Sequence, residues 1–143
     1  MFHKNLEVWK KSIEFVKDIY LITKEFPQDE KFGLVSQMRR AAVSIPSNIA
    51  EGNARMSSKD TSRFIDIAIG SIAELDTQII ISKELGFINE ENLLLEKLQK
   101  INAMAIGLRK SLTNTTNWNV LISLLPYSLI HLFTKNTQST KGK

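Results

Sequence analysis

Apolar residues recur every three to four positions along the first 112 residues, which is the period of helices buried on one side. In the first such segment, Asn5 to Phe26, the inward face is assigned to Leu6, Trp9, Ile13, Val16, Ile19, Tyr20 and Phe26. Asn5 is the expected N-cap and Pro27 the stop. Glu7 and Lys11, four apart, form a favourable pair on the wet side. A second helix opens between Gln28 and Leu34 and turns Leu34, Met38, Ala41, Ala42, Ile45 and Ile49 inward until Gly52 ends it. The third starts at Ser57, with Asp60 as capping-box partner, and carries Phe64, Ile65, Ala68, Ile69, Ile72, Leu75, Ile79 and Ile80 on a broad apolar face. Gly86 is the expected left-handed residue after it, with Phe87 making the accompanying hydrophobic contact. The fourth helix opens with Asn89 as cap, Glu90 and Glu91 at the positive end of the dipole, and Ile88 stapled to Leu93. Leu94, Leu98, Ile101, Ala105, Leu108 and Leu112 then follow at bundle spacing.

No strand-like alternation interrupts this pattern, and short connections between long helices make neighbours antiparallel. The expected fold is all-α: an up-down-up-down antiparallel four-helix bundle over residues 1–112, followed by a C-terminal extension over 113–143. One local feature needs explanation. Pro46 lies inside the second helix, where a proline removes a backbone hydrogen bond and costs about 3 kcal/mol. Ser44, Ser47 and Asn48 are close enough to compensate near the carbonyl freed at Ala42. The expectation is a continuous but kinked helix, bent so that its small-residue side fits an adjacent copy.

The extension is atypical. It has no acidic residue, and its apolar run from Val120 to Phe133 is interrupted by Pro126 and is short for a bilayer span. Two readings stay open: a loosely packed tail, or a helix that lies on a membrane surface or binds a partner. The formal net charge is +4, but Lys135, Lys141 and Lys143 supply three of those charges. Through Lys110 the chain carries 16 basic against 15 acidic residues, so charge alone argues weakly for nucleic acid. The absence of cysteine excludes disulfides and thiolate chemistry and suits a reducing cytoplasm. The charged N-terminal sequence "MFHKNLEVWKK" does not read as a secretion signal.

Candidate chemistry is sparse. His3 and His131 are the two histidines, neither with a partner at metal-ligand spacing, and no glycine-rich phosphate loop occurs. No catalytic residue, metal or cofactor is assigned, and the expected protein is not an enzyme. Asp76 is placed on the inward face of the third helix, where a lone carboxylate needs a partner. It is either ion-paired to Arg39, fixing helix register, or an acid facing a ligand in a crevice. Small and apolar residues on outward faces, Val43, Pro46, Ser47 and Ala50 on the second helix and Ile67, Gly70 and Ile81 on the third, read as a surface for another copy of the chain. Arg39, Arg40, Arg55, Lys59 and Arg63 are the candidates for phosphate contact, although Glu51, Asp60 and Asp66 are interleaved, and a solvated charged face is the alternative.

The strings "EKFGLVSQMRRAAVSIPSNIAEG" and "GSIAELDTQI", with the preceding "FP", closely resemble bacterial four-helix-bundle proteins encoded within intervening sequences of large-subunit ribosomal RNA genes. The resemblance spans Leu6 to Leu112. Its motif positions here are Gln37, Arg39, Arg40, Ser44, Pro46, Asn48, Glu51 and Gly52, with Glu74, Thr77 and Gln78 in the third helix. Such proteins look like relatives of the accessory variability determinant of diversity-generating retroelements, a pentameric basic barrel. The resemblance therefore implies a homopentamer, association with RNA or DNA, and a reverse transcriptase as partner. It implies no catalytic assignment. The alternative function is a protein–protein interaction scaffold with no nucleic-acid role. Asn48 and Glu51 join Asp76 as expected structural polar residues.

Overall fold

The computed structural model describes residues 2–89 and 91–123, and for 114–123 the helical backbone alone. After a 3-10 turn at Phe2–Asn5 come α1 (Glu7–Ile22), a second 3-10 turn at Gln28–Glu30, α2 (Leu34–Asn53), α3 (Ser58–Glu84) and α4 (Glu91–Ser123). No strand occurs among the described residues, and the architecture is an all-α four-helix bundle. None of the described helices is long and apolar enough to cross a membrane.

The most extensive packing joins α2 to α3. The Ser82 hydroxyl, which donates to the Gln78 carbonyl at 2.7 Å, lies 3.4 Å from the Met38 sulfur, Ser44 and Ser71 share a 2.9 Å hydrogen bond, and Gly52 lies against Thr61 and Phe64. Numbers rise along one helix as they fall along the other, so this pair runs antiparallel. Around the seam, Ile45, Ile49, Ile65, Leu75 and Ile79 of these helices join Phe15 and Ile19 of α1 and Leu98, Ile101 and Ala105 of α4 in one core. Each fully buried aliphatic side chain contributes about 1.5–3 kcal/mol.

Local signals account for several boundaries. Ser57 caps α3, accepting from the Asp60 N–H at 3.1 Å, while its own hydroxyl donates to the Asp60 carboxylate at 2.8 Å. Gly86 has φ +75°, and the N–H groups of Gly86 and Phe87 donate to Lys83 and Ser82 carbonyls at 2.9 and 2.8 Å, the paired bonds of a Schellman ending. Phe87 then packs on Phe26, ring centres 5.3 Å apart.

Other expectations are corrected. The N-cap of α1 is Leu6, and Asn5 belongs to the 3-10 turn and makes no cap bond. The helix ends at Ile22, four residues before Phe26, because the Thr23 hydroxyl returns to the Ile19 carbonyl at 2.7 Å and tighter turns follow. Its fully buried face is Val8, Ser12, Phe15 and Ile19; Leu6, Trp9 and Val16 pack partly buried against the core as expected, while Ile13 and Tyr20 are exposed. Apolar residues surround so much of α1 that the sequence allows two phases. Burial selects the one containing Ser12, whose hydroxyl is satisfied by the Val8 carbonyl. Lys11 pairs with Glu14 at 2.9 Å rather than with Glu7, which lies 3.9 Å from Lys10. On α3, Ile80 is exposed and Ser71, Gln78 and Ser82 are buried in the α2 seam. Leu93 is also exposed, so stapling to it buries little. The Glu90 part of the α4 start lies outside the described residues, as does the extension beyond Ser123, with Pro126, His131 and most of the apolar run. Pro46 is buried, and α2 is continuous through it. The neighbouring side chains serve other carbonyls than expected: Ser47 donates to Val43 at 2.8 Å and Asn48 to Ser44 at 2.8 Å.

Two glycines give opposite expected outcomes. A Cβ at Gly52 would stand 2.9 Å from Phe64 Cβ and 3.1 Å from the Thr61 carbonyl. Gly52→Ala should therefore destabilise the fold by about 1–3 kcal/mol in urea unfolding. Gly70 has open space around its missing side chain, so Gly70→Ala should stabilise a monomer by about 0.5–1 kcal/mol. A pH effect is expected at the start of α4. The Glu91 carboxyl is held below the usual glutamate range by its own helix-terminal N–H and then by Lys83. Lys83 lies 3.0 Å away and also donates to the Asn89 carbonyl. Because the folded value is the lower one, this stabilisation is present above the unfolded value and is lost as pH falls through the folded one. Glu91→Gln should lower the melting temperature at neutral pH, and the difference from the parent should vanish in acid below that range.

Candidate nucleic-acid interface

The five cationic candidates do not form one patch. Arg39 and Arg40 lie in the second turn of α2, while Arg55, Lys59 and Arg63 surround the turn into α3. Thirteen residues of helix separate Arg40 from the end of α2, roughly 20 Å at 1.5 Å per residue. Arg55 is already committed: it pairs with Glu51 at 2.5 Å and lies 4.6 Å over the Phe64 ring. Lys59 and Arg63 are exposed.

The other pair opens onto a groove of about 920 Å³ along the N-terminal half of α2. Tyr20 of α1, Lys31 and Phe32 of the connecting turn, and Glu74 of α3 complete its lining. Arg39 is held rigidly in it. Its Nε donates to Thr23 Oγ1 at 2.9 Å, and its guanidinium lies 4.6 Å over the Tyr20 ring. Arg40 is exposed and makes no hydrogen bond or ion pair among the described residues. Lys31 lies 5.5 Å over the Phe32 ring and has no acidic partner among them. Glu30 is spoken for, because its carboxylate accepts from the Leu34 N–H at 3.0 Å and occupies the N-terminus of α2.

Asp76 is not the buried acid of the bundle. It is half-buried and makes no hydrogen bond or ion pair among the described residues, so the expected Asp76–Arg39 pair is absent. Thr23 and Tyr20 take Arg39 instead because the end of α1 is nearer to its flank of α2. The polar groups that α3 does bury are neutral. Gln78, 5% exposed, donates its Nε2 to Glu74 at 3.1 Å while its Oε1 finds no protein partner. Asn48 donates to both the carbonyl and the hydroxyl of Ser44, at 2.8 and 2.9 Å.

Of the residues expected to meet another copy, Val43, Ser47, Ile67, Gly70 and Ile81 are exposed, Ile67 and Ile81 at 45% and 42%. Ala50 is half-buried. Pro46 is a correction: its ring is buried within its own bundle and is not offered to a neighbour.

Sequence reasoning missed Tyr20, Lys31 and Phe32 as groove residues. The available signal was Phe32 itself, an aromatic beside a lysine just outside the helical pattern. A second groove, between α1 and α4, has a floor including Phe15 and Met104. Its rim mixes both signs: Lys97 pairs with Asp18 at 2.7 Å and Lys11 with Glu14, while Lys17 and Lys100 have no ion pair among the described residues. Among the described residues no cluster of histidine and acidic side chains could hold a metal ion.

Comparison with known proteins agrees with this architecture. The chain belongs to the family described as 23S rRNA-intervening sequence protein, whose model matches residues 4–107. It is also similar in fold to the crystal structure of a protein with unknown function from the S23 ribosomal protein family of Bacteroides thetaiotaomicron VPI-5482. The TM-score is 0.67 at 23% identity, covering 77% of this chain and 99% of that one. A search of curated proteins finds no match.

The two charged candidates separate in mutational stability. Asp76→Asn should change unfolding free energy by no more than about 0.5 kcal/mol, because the half-buried carboxylate has no partner to lose among the described residues. Arg39→Ala should cost about 1–2 kcal/mol through the lost Thr23 bond and the uncovered Tyr20 ring. Urea titration of both variants checks this.

Proposed function

We propose that this protein associates with RNA through the basic groove along α2, performs no chemistry on it, and acts as a homo-oligomer. The observation that carries the reading is the state of the cations. The α2 groove gathers Lys31, Arg39 and Arg40 against a single acid, Glu74, and neither Lys31 nor Arg40 has an acidic partner among the described residues, whereas the α1–α4 groove sets four lysines against Glu7, Glu14 and Asp18. Unpaired cations around a groove can replace the counterions of a phosphate backbone. The family's description, tied to an intervening sequence of 23S rRNA, supports RNA as the polymer.

Assembly rests on α3. Ile67 and Gly70 of α3, with Ser47 of α2, are exposed small and apolar positions outside the groove lining; Val43 lines the groove and Ile81 lies beyond Glu74 on the same face of α3, so these two are left out of the contact. A pentameric ring would present the groove five times, and a bend at Pro46 would shape α2 against the neighbour. DNA in place of RNA, and a reverse transcriptase as further partner, belong to the same proposal. So does a cytoplasmic setting, which the cysteine-free sequence fits. The same exposed positions favour a second reading, in which the bundle is a scaffold for another protein and the groove has no polymer to bind.

Anisotropy titration of labelled RNA against salt separates the two. Affinity should fall steeply with salt, with a logarithmic slope of about −0.7 per phosphate neutralised on a single strand. Arg40→Ala combined with Lys31→Ala should flatten that slope by about one to two phosphate equivalents. Lys10→Ala, whose lysine lies 3.9 Å from Glu7 and does not line the groove, should leave it unchanged. Absence of binding at low salt, or indifference to salt, rejects the RNA reading. For assembly, light scattering should show an oligomer at micromolar concentration. Ile67→Glu should dissociate it while leaving helix content intact; a parent protein found only as monomer rejects the interface.

A further inference from the structure

We infer that the α2 groove takes single-stranded RNA and selects an unpaired guanine through Glu74; this rests on the RNA reading above and specifies its substrate. Charge alone does not describe the groove. Phe32 is 88% exposed, a large apolar surface with the Lys31 ammonium 5.5 Å from its ring centre. Tyr20 and Arg39 line the same groove, with the guanidinium 4.6 Å over the ring and held by Thr23. Aromatic rings and arginine planes bind bases by stacking, and base faces are available in single strands and loops but are covered within a duplex. A site for duplex backbone needs only the cations.

Glu74 is the second observation. It lines the same groove as Lys31, Arg39 and Arg40, yet makes no ion pair with any of them. In a surface that only neutralised phosphate, this carboxylate would oppose binding. Its position is set from inside the bundle, because the buried Gln78 amide donates to its Oε1 at 3.1 Å. An ionised carboxylate accepts hydrogen bonds and cannot donate them. The groups in RNA that match it are base N–H donors, and they are free only when the base is unpaired. Guanine presents N1–H and the N2 amino group side by side, so both carboxylate oxygens can be used in a bidentate, charge-assisted pair. Uracil offers one N–H on that edge, and adenine and cytosine offer one amino group each. The groove thus combines cations for the backbone, flat surfaces for base faces and one fixed acceptor for a base edge.

The test uses the full chain and labelled RNAs of about ten nucleotides, within the span of known single-strand sites. The set comprises an all-uridine strand, the same strand with central guanines, one with inosine in their place, and a duplex form. The guanine strand should bind about tenfold more tightly than all-uridine RNA, the discrimination of one good bidentate pair. Inosine, lacking the N2 amino group, should fall between them, and the duplex should bind more weakly than the guanine strand. Glu74→Gln should abolish the guanine preference without weakening all-uridine binding, since it also removes a negative charge. Phe32→Ala should weaken both single strands by about tenfold through lost stacking. Salt-dependent binding with duplex as tight as single strand, or a guanine preference that survives Glu74→Gln, overturns this inference while leaving the RNA reading standing. No salt-dependent binding of any RNA overturns both.

Discussion

The close approach of α2 to α3 is the contact on which the rest of the molecule depends. Gly52 lets the two backbones meet where α3 begins, with Thr61 and Phe64 occupying the space a side chain would take. Ser44 and Ser71 continue the seam at mid-length, and Met38 and Ser82 close it at the far end. Small side chains allow the proximity, and each buried hydroxyl is satisfied by a carbonyl on its own helix or a partner across the seam. Once this pair is set, α1 and α4 can cover its remaining apolar faces, and the outer side of α2 stays open.

That open side explains why two adjacent arginines have different roles. Arg39, on the α1 flank, is drawn onto Tyr20 and Thr23, becoming part of a rigid wall. Arg40 is one position, or about 100° of helix rotation, further round and meets solvent. A guanidinium in the wall has lost its freedom before any ligand arrives, so less entropy remains to be lost on binding. Glu74 is prepared in a similar way by Gln78. The groove thus draws its order from the core beneath it, while Arg40 and Lys31 supply adaptable charge at its edge.

Much of the helical architecture was legible because its signals are local. Ser57 with Asp60, and Gly86 with Phe87, use hydrogen bonds within a single turn, and those boundaries read correctly. The interior periodicity of α2 and most of α3 read correctly too. The face of α1 read correctly only in part: Leu6, Trp9, Val16 and Ile19 do meet the core, but Ile13 and Tyr20 do not, because apolar residues nearly encircle the helix and leave no single stripe. The candidate interface was less legible. Arg55, Lys59 and Arg63 at the turn and Arg39 and Arg40 upstream were all candidates, but helix length keeps the two groups apart and Glu51 engages Arg55. Asp76 looked buried, whereas the neutral Gln78 holds that kind of position.

What the sequence determined by itself was the number of helices, several of their ends, and the tolerance of α2 for Pro46, since capping, periodicity and backbone pairing act over a turn or two. Only the tertiary structure decided which face of α1 is buried, which partner takes Arg39, and which residues line the groove. Burial is a competition between faces that is settled by what packs against them. Tyr20, Phe32, Arg40 and Glu74 come from four different segments, and no local rule could have brought them together.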